Sequence, residues 1–213
     1  MAKILYTYIN PTSSKHLERA CQIIKDGGII AYPTDVNWAM GCDPSSKKSL
    51  DKILQLKPHH PKQQPFSLIC NSISMISEYT KLEHDTYRVL KKILPGPYTV
   101  LLERNKTLPK RIHDKRKVVG VRMPQSPLLY DLIHMYGGPI VTTSLSDNID
   151  AMSPNQDPIL YGYEVEKYYG HGINLILDLG DALYPSQTTI IDFTSGGCDI
   201  VREGIGDTSF LSH

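Results

Sequence analysis

"AYPTDVNWAMGC", residues 31–42, decides how the rest of the chain is read. An apolar run from Gly28 to Tyr32 meets Pro33, then Thr34 and Asp35. Val36 and Asn37 lead to Trp38, the only tryptophan of the chain, and then to Ala39, Met40 and Gly41. Pro33 has no N–H to give a sheet ladder, so a strand is expected to end near it. Short polar side chains just past a strand end commonly line a site. The stretch reads either as a plain turn or as the wall of a pocket.

Outward from it, helices and strands alternate. "SKHLERACQIIKDGG" places Leu17, Ala20, Cys21 and Ile24 at helical spacing, with Ser13 or Ser14 as cap and Gly27-Gly28 as stop. "SSKKSLDKILQLKP" carries Leu50, Ile53, Leu54 and Leu56 and is closed by Pro58. "SPLLYDLIHMYGG" has Ser126 at the N-cap, Pro127 in the first turn and Gly137 past the end. "NSISMISEY", "EHDTYRVLKKIL" and "LYGYEVEKYYG" read as further helices. "GIIAY", "FSLIC", "YTVLLE", "VVGVR", "PIVTTS", "INLILDLG", "TTIIDFT" and "DIVRE" read as strands. This alternation predicts an α/β fold: one domain, residues 1–213, with a mixed sheet flanked by helices. The strand-rich C-terminal end is where antiparallel pairing is expected.

At 213 residues, 40% hydrophobic and 21% charged, the chain suits one globular domain. It has no run of 18 apolar residues, so no membrane-spanning helix is expected. "MAKILYTYIN" lacks the h-region and cleavage pattern of a signal peptide. Cys21, Cys42, Cys70 and Cys198 form no C-x-x-C pair, and four free thiols suit a cytoplasmic location. The net charge of +1 conceals an asymmetry. Residues 1–122 hold 21 Lys+Arg against 10 Asp+Glu (+11), and residues 123–213 hold 2 against 12 (−10). Either a basic surface faces phosphates or nucleic acid, or folding interleaves the halves. Lys110, Arg111, Lys115, Arg116 and Lys117 form the densest basic cluster, read as an RNA-binding face or as a solvated loop.

Many common catalytic signals are absent: P-loop, G-x-G-x-x-G after a strand, G-x-S-x-G and H-E-x-x-H. His59 and His60 have no acid or cysteine at metal-ligand spacing, so no metal site is expected. Polar residues instead recur at strand ends: Thr34 and Asp35, Arg122, Thr142 to Ser144, Thr188 and Thr189, and Arg202. Ligands of open α/β sheets collect outside strand ends. Hydroxyls mixed with arginines suit a phosphate or a carboxylate.

The segments "YPTDVNWAMG", "LPGPYTVLL", "VVGVRMP", "PIVTTS", "ILDLG", "TTIID" and "IVREGIGD", in this order over about residues 15–207, resemble the YrdC/YciO family, the threonylcarbamoyl-AMP synthase-like domain. The resemblance implies a twisted mixed sheet with a concave basic cleft. It implies a reaction in which L-threonine and bicarbonate form a carbamate that attacks the α-phosphate of ATP. The products are threonylcarbamoyl-AMP and pyrophosphate. Mg²⁺ accompanies ATP, no tightly held cofactor is needed, and the product serves tRNA modification. Carried over by position, Thr34, Arg122 and Thr189 would hold threonine, and Lys57, Ser144 and Arg202 would contact an ATP- or AMP-like nucleotide. No individual catalytic residue is implied.

The departures concentrate on the nucleotide side. The family's K-x-R element stands as Lys57-Pro58-His59, and its S-x-N element as Ser144-Leu145-Ser146, followed by Asp147. A neutral imidazole does not replace a permanent bidentate cation. In the opening box a tyrosine is Trp38 and a glycine is Ala39. This pattern is similar to the YciO branch and implies weak or divergent synthase activity. Two alternatives stay open: a module binding double-stranded RNA or tRNA without synthase activity, and a hydrolase acting on threonylcarbamoyl adenosine. Trp38 either stacks on a base or fills the core.

Overall fold

The computed structural model describes residues 2–7, 12–57, 66–108, 117–145 and 158–209. The elements in chain order are β1 (Lys3–Tyr6), α1 (Ser14–Lys25), β2 (Ile30–Pro33), β3 (Trp38–Cys42), α2 (Lys47–Leu56), β4 (Ser67–Ile69), α3 (Ile73–Tyr79) and α4 (His84–Ile93). They continue with β5 (Tyr98–Glu103), β6 (Val118–Arg122), α5 (Pro127–Tyr136), β7 (Ile140–Ser144), α6 (Gly162–Tyr169), β8 (Leu175–Asp178), β9 (Thr189–Asp192) and β10 (Asp199–Arg202).

The helix ends follow the sequence punctuation. Ser46 and Ser126 accept from Ser49 N (3.3 Å) and Leu129 N (3.4 Å) at the starts of α2 and α5. Gly137 closes α5 at φ 81°, a left-handed conformation that a side chain would strain. At α1 the N-cap is Ser13, without a side-chain capping bond.

The strands form one mixed sheet in the order β1-β8-β2-β3-β7-β4-β6-β5-β9-β10. Antiparallel pairing was expected at the C-terminal end. It occurs there in β9–β10, but also in β2–β3, β3–β7, β4–β7 and β5–β6. The four residues between β2 and β3 permit only a hairpin, which fixes antiparallel pairing mid-sheet. Strands from after residue 122 (β7, β8, β9 and β10) are dispersed among the earlier ones, so the two charge halves of the chain do not become two halves of the sheet.

Two apolar clusters fix which face each strand residue takes. On one face Leu17, Ala20 and Ile24 of α1 and Leu128, Leu129, Leu132 and Ile133 of α5 pack on Ile30, Tyr32, Ala39, Ile69, Ile140, Leu175 and Leu177. On the other, Leu50 and Ile53 of α2, Ile76 of α3, Leu90 of α4 and Val165 of α6 pack with Trp38, Met40, Leu68, Val100, Val119, Val121, Val141 and Ile191. The α1–α5 cluster takes no residue from β5, β6, β9 or β10. By the two-residue alternation of strands, that part of the same face carries Thr99, Gly120, Arg122 and Thr188. Leu101, Val118 and Ile190 share that face, so its polar residues form a patch where β6 ends and β5 and β9 begin.

Candidate functional site

The stretch that opened the sequence holds the turn it suggested. Residues 34–37 close the β2–β3 hairpin. Thr34 N donates to Asn37 O (2.9 Å), and the Thr34 hydroxyl donates to the same oxygen (2.8 Å). That hydroxyl also accepts from Val36 N (3.2 Å) and Asn37 N (3.1 Å). Thr34 therefore builds the loop with its own side chain. Pro33 is the last residue of β2 and pairs with Trp38. Its nitrogen faces away from β3 by the antiparallel alternation, beyond Ala31, where pairing with β8 ends. From the other side Ser186 N donates to Val36 O (2.7 Å), and Asn37 Nδ2 reaches Ser186 O (3.4 Å).

The loop carries Asp35 onto Arg122 at the end of β6. Arg122 Nη2 donates to Asp35 Oδ1 (2.7 Å), with the two side chains 8% and 10% exposed. Burial pushes the Arg122 guanidinium below the usual arginine range; Asp35 and Tyr32 oppose that, and the like charge of Arg202 adds to it. Tyr32 lies on the same face and donates to Thr142 Oγ1 (2.9 Å). It crosses Gly41 to do so: a Cβ there would stand 2.5 Å from the Tyr32 hydroxyl oxygen. Burial drives the Tyr32 phenol well above its ordinary range, so it is a hydrogen-bonding group and not a base.

Arg202 enters from the edge strand β10. Its Nε and Nη2 both donate to Thr188 O (3.2 and 2.9 Å), and Nη2 also reaches Thr188 Oγ1 (3.1 Å). Thr188 Oγ1 shares a hydrogen bond with Thr99 Oγ1 (2.9 Å). Thr189 stands apart from this group. It is fully buried, pairs in register with Tyr98 and belongs to the opposite face. Its hydroxyl donates to Gly206 O (2.8 Å) and accepts from Gly204 N (3.1 Å), tying down the C-terminal segment. Lys57 and Ser144 are brought together: the buried Lys57 ammonium donates to the Ser144 carbonyl oxygen.

Trp38 fills the core. It is 1% exposed, and its Nε1 donates to Leu160 O (3.1 Å), which also accepts Leu183 N (2.9 Å). His59, Ser146, Asp147, Lys110, Arg111, Lys115 and Arg116 lie outside the described residues. Lys117 lies within them, exposed and at φ 66°. The described residues contain no group of three or more His, Cys, Asp and Glu able to hold a metal, and no helix long and apolar enough to cross a membrane. Sequence reading gave no role to Tyr32, Thr99 or Ser186. Thr99 had a signal, because "YTVLLE" read with period two sets Thr99 opposite the apolar Tyr98 and Val100. Ser186 had none, since its role is set by packing against a loop 150 residues away.

At the other end of β3, a cleft of about 350 Å³ is lined by Lys25, Asp43, Ser45, Tyr79, Leu108, Tyr136 and neighbours. Asp43 accepts from Ser45 N and Oγ (both 2.5 Å) and from the Tyr136 hydroxyl (2.7 Å). Burial alone would raise the Asp43 carboxyl; these hydrogen bonds outweigh it and hold the group below the ordinary carboxylate range.

Comparison with known proteins gives a consistent set of likenesses. A family model described as telomere recombination, for Sua5, YciO and YrdC proteins, matches residues 22–204. The protein YciO of Escherichia coli (strain K12) is 31% identical over 208 residues, 97% of this chain and 98% of that one. The crystal structure of E. coli YciO superposes with a TM-score of 0.89, covering 99% of this chain and 100% of that chain. A threonylcarbamoyl-AMP synthase of Marinobacter nauticus is 30% identical over 184 residues, 84% of this chain and 92% of that one. The fold is also that of P. abyssi Sua5 complexed with L-threonine, at TM-score 0.80 and 22% identity. That match spans 95% of this chain and 58% of the other.

Proposed function

We propose, on the premise that the chain belongs to the Sua5/YciO/YrdC family, that the polar patch around Arg122 binds an L-threonine-derived carboxylate and an adenine nucleotide and performs chemistry of the threonylcarbamoyl-AMP synthase kind. Threonylcarbamoyl-AMP synthases are among the chain's relatives, and a Sua5 of the same fold was solved with L-threonine. The observation that carries the reading is Arg122: a buried guanidinium at the end of β6, held by Asp35 on the face that also carries Thr99 and Thr188. Guanidinium groups beside hydroxyls suit a carboxylate or a phosphate.

In this reading the threonylcarbamate oxygen forms a bond to the α-phosphorus of Mg-ATP. The bond from that phosphorus to the β-bridging oxygen breaks, and pyrophosphate leaves. Mg²⁺ arrives with the nucleotide as part of the substrate. Arg122 grips the threonine carboxylate, while Arg202 and Lys57 offset charge on the nucleotide side. Thr34 shapes the loop that holds Asp35 against Arg122. Such catalysis is positioning and charge compensation, and needs no dedicated general base. The departures at His59 and Ser146 weaken the hold on the triphosphate, so His59→Arg with Ser146→Asn should tighten Mg-ATP binding in calorimetry.

The test is pyrophosphate release from Mg-ATP, dependent on both L-threonine and bicarbonate, with a competent synthase in parallel. The expected result is slow but threonine-dependent release that Arg122→Ala abolishes. Release no faster than the enzyme-free control would end the synthase reading.

A further inference from the structure

Arg122 is 6% exposed, and its counter-ion belongs to the chain itself. The pairing is one-pronged. Nη2 donates to Asp35 Oδ1 (2.7 Å), while Asp35 Oδ2 turns away to accept Gln125 N (3.1 Å). Arginine and carboxylate commonly close with two parallel bonds. Here a backbone N–H draws off the second oxygen, and Arg122 Nε is buried with no hydrogen-bond partner among the described residues. Buried donors are almost always satisfied, and one that is not calls for an explanation, of which a ligand acceptor is one. Gln125 is exposed and is tied to Asp35 through its backbone.

We propose that Asp35 sets the affinity and ligand class of this site: it holds Nη2, leaves Nε as the docking donor, and competes with an incoming carboxylate for Arg122. The proposal rests on the reading that Arg122 receives the substrate carboxylate. Because Asp35 already balances the guanidinium, the ligand gains a directed hydrogen bond more than a net charge. A compact monocarboxylate fits those terms. A dicarboxylate of similar size brings its second charge against Asp35. Gln125 N is the positioning element: without it, Oδ2 can turn back onto Nε and close the fork.

The experiment is calorimetric titration of acetate, malonate and L-threonine into the full chain and two variants, each checked for folding by circular dichroism. Asp35→Asn keeps an acceptor for Nη2 and removes the competing charge. It should bind acetate and L-threonine at least about fivefold more tightly, the scale of one ordinary hydrogen bond gained. Gln125→Pro removes the N–H and should weaken both by about fivefold on the same scale. The unaltered chain should prefer acetate to malonate, an arm that holds even where a variant does not fold. Equal affinities across the three versions, or weaker binding by Asp35→Asn, would overturn the proposal, as would a preference for malonate. Tighter acetate binding by Asp35→Asn, with L-threonine bound no better than acetate by any version, would leave the role of Asp35 standing and remove threonine as the substrate.

Discussion

Replacing Trp38 by phenylalanine separates a core role from a ligand-stacking one. The indole is 1% exposed and its Nε1 bonds Leu160 O at 3.1 Å. Phenylalanine loses that hydrogen bond, worth about 0.5–1.5 kcal/mol. Leu160 O keeps Leu183 N as donor at 2.9 Å, so no carbonyl is orphaned and the hydrogen-bond loss stays in that modest range. The smaller ring also leaves a partly collapsed void, which costs on the order of 1 kcal/mol. Together the change should cost about 2 kcal/mol, or about 4–8 °C in Tm for a chain of this size. The assay is thermal and urea unfolding alongside Mg-ATP titration. Unchanged stability with nucleotide binding weakened severalfold would refute the core assignment and place the indole against a base.

Two further outcomes follow from the geometry. Gly162→Ala should destabilise the fold by about 1–3 kcal/mol, because its Cβ would run into the Asp178 carboxylate and break the bond from the helix N-terminus at 3.1 Å; an unchanged urea midpoint would contradict this. The folded Asp43 carboxyl is held low, so its contribution is present above the unfolded value and lost as pH falls through the folded one, from about pH 4 downward. Urea midpoints stepped through that range should drop less steeply in Asp43→Asn than in the unaltered chain.

What the sequence disclosed follows its local chemistry. Helices α2 and α5 were readable because cap, apolar face and terminator all lie within about a dozen residues. Strands β1 and β3 were not. "WAMGC" is buried on both faces, so it lacks the polar alternation that marks a half-exposed strand, and it has no β-branched residue. Pro33 signalled a strand end, and β2 ends on it, at a position whose nitrogen no neighbouring strand needs. At the site, Thr34, Arg122, Arg202, Lys57 and Ser144 were visible as strand-end or family-box positions. The Asp35–Arg122 pair spans 87 residues, and nothing in either local segment announces it. Thr188 and Thr189 are adjacent letters that face opposite sides, a distinction that only the register supplies.

Strand β1 pairs with a strand 172 residues further along the chain. Lys3 to Tyr6 of β1 lie beside Leu175 to Asp178 of β8, and β8 in turn flanks Ile30 and Ala31 of β2. On the ribosome, the N-terminal strand leaves the exit tunnel long before anything exists for it to pair with. The outer edge of β2 waits as long, with Ile30 and Ala31 exposed meanwhile. Assembly of this margin therefore waits until residue 178 has been made. Chains released before residue 178 would present two open strand edges to their neighbours. Such truncated products are the species in which aggregation or chaperone capture should concentrate.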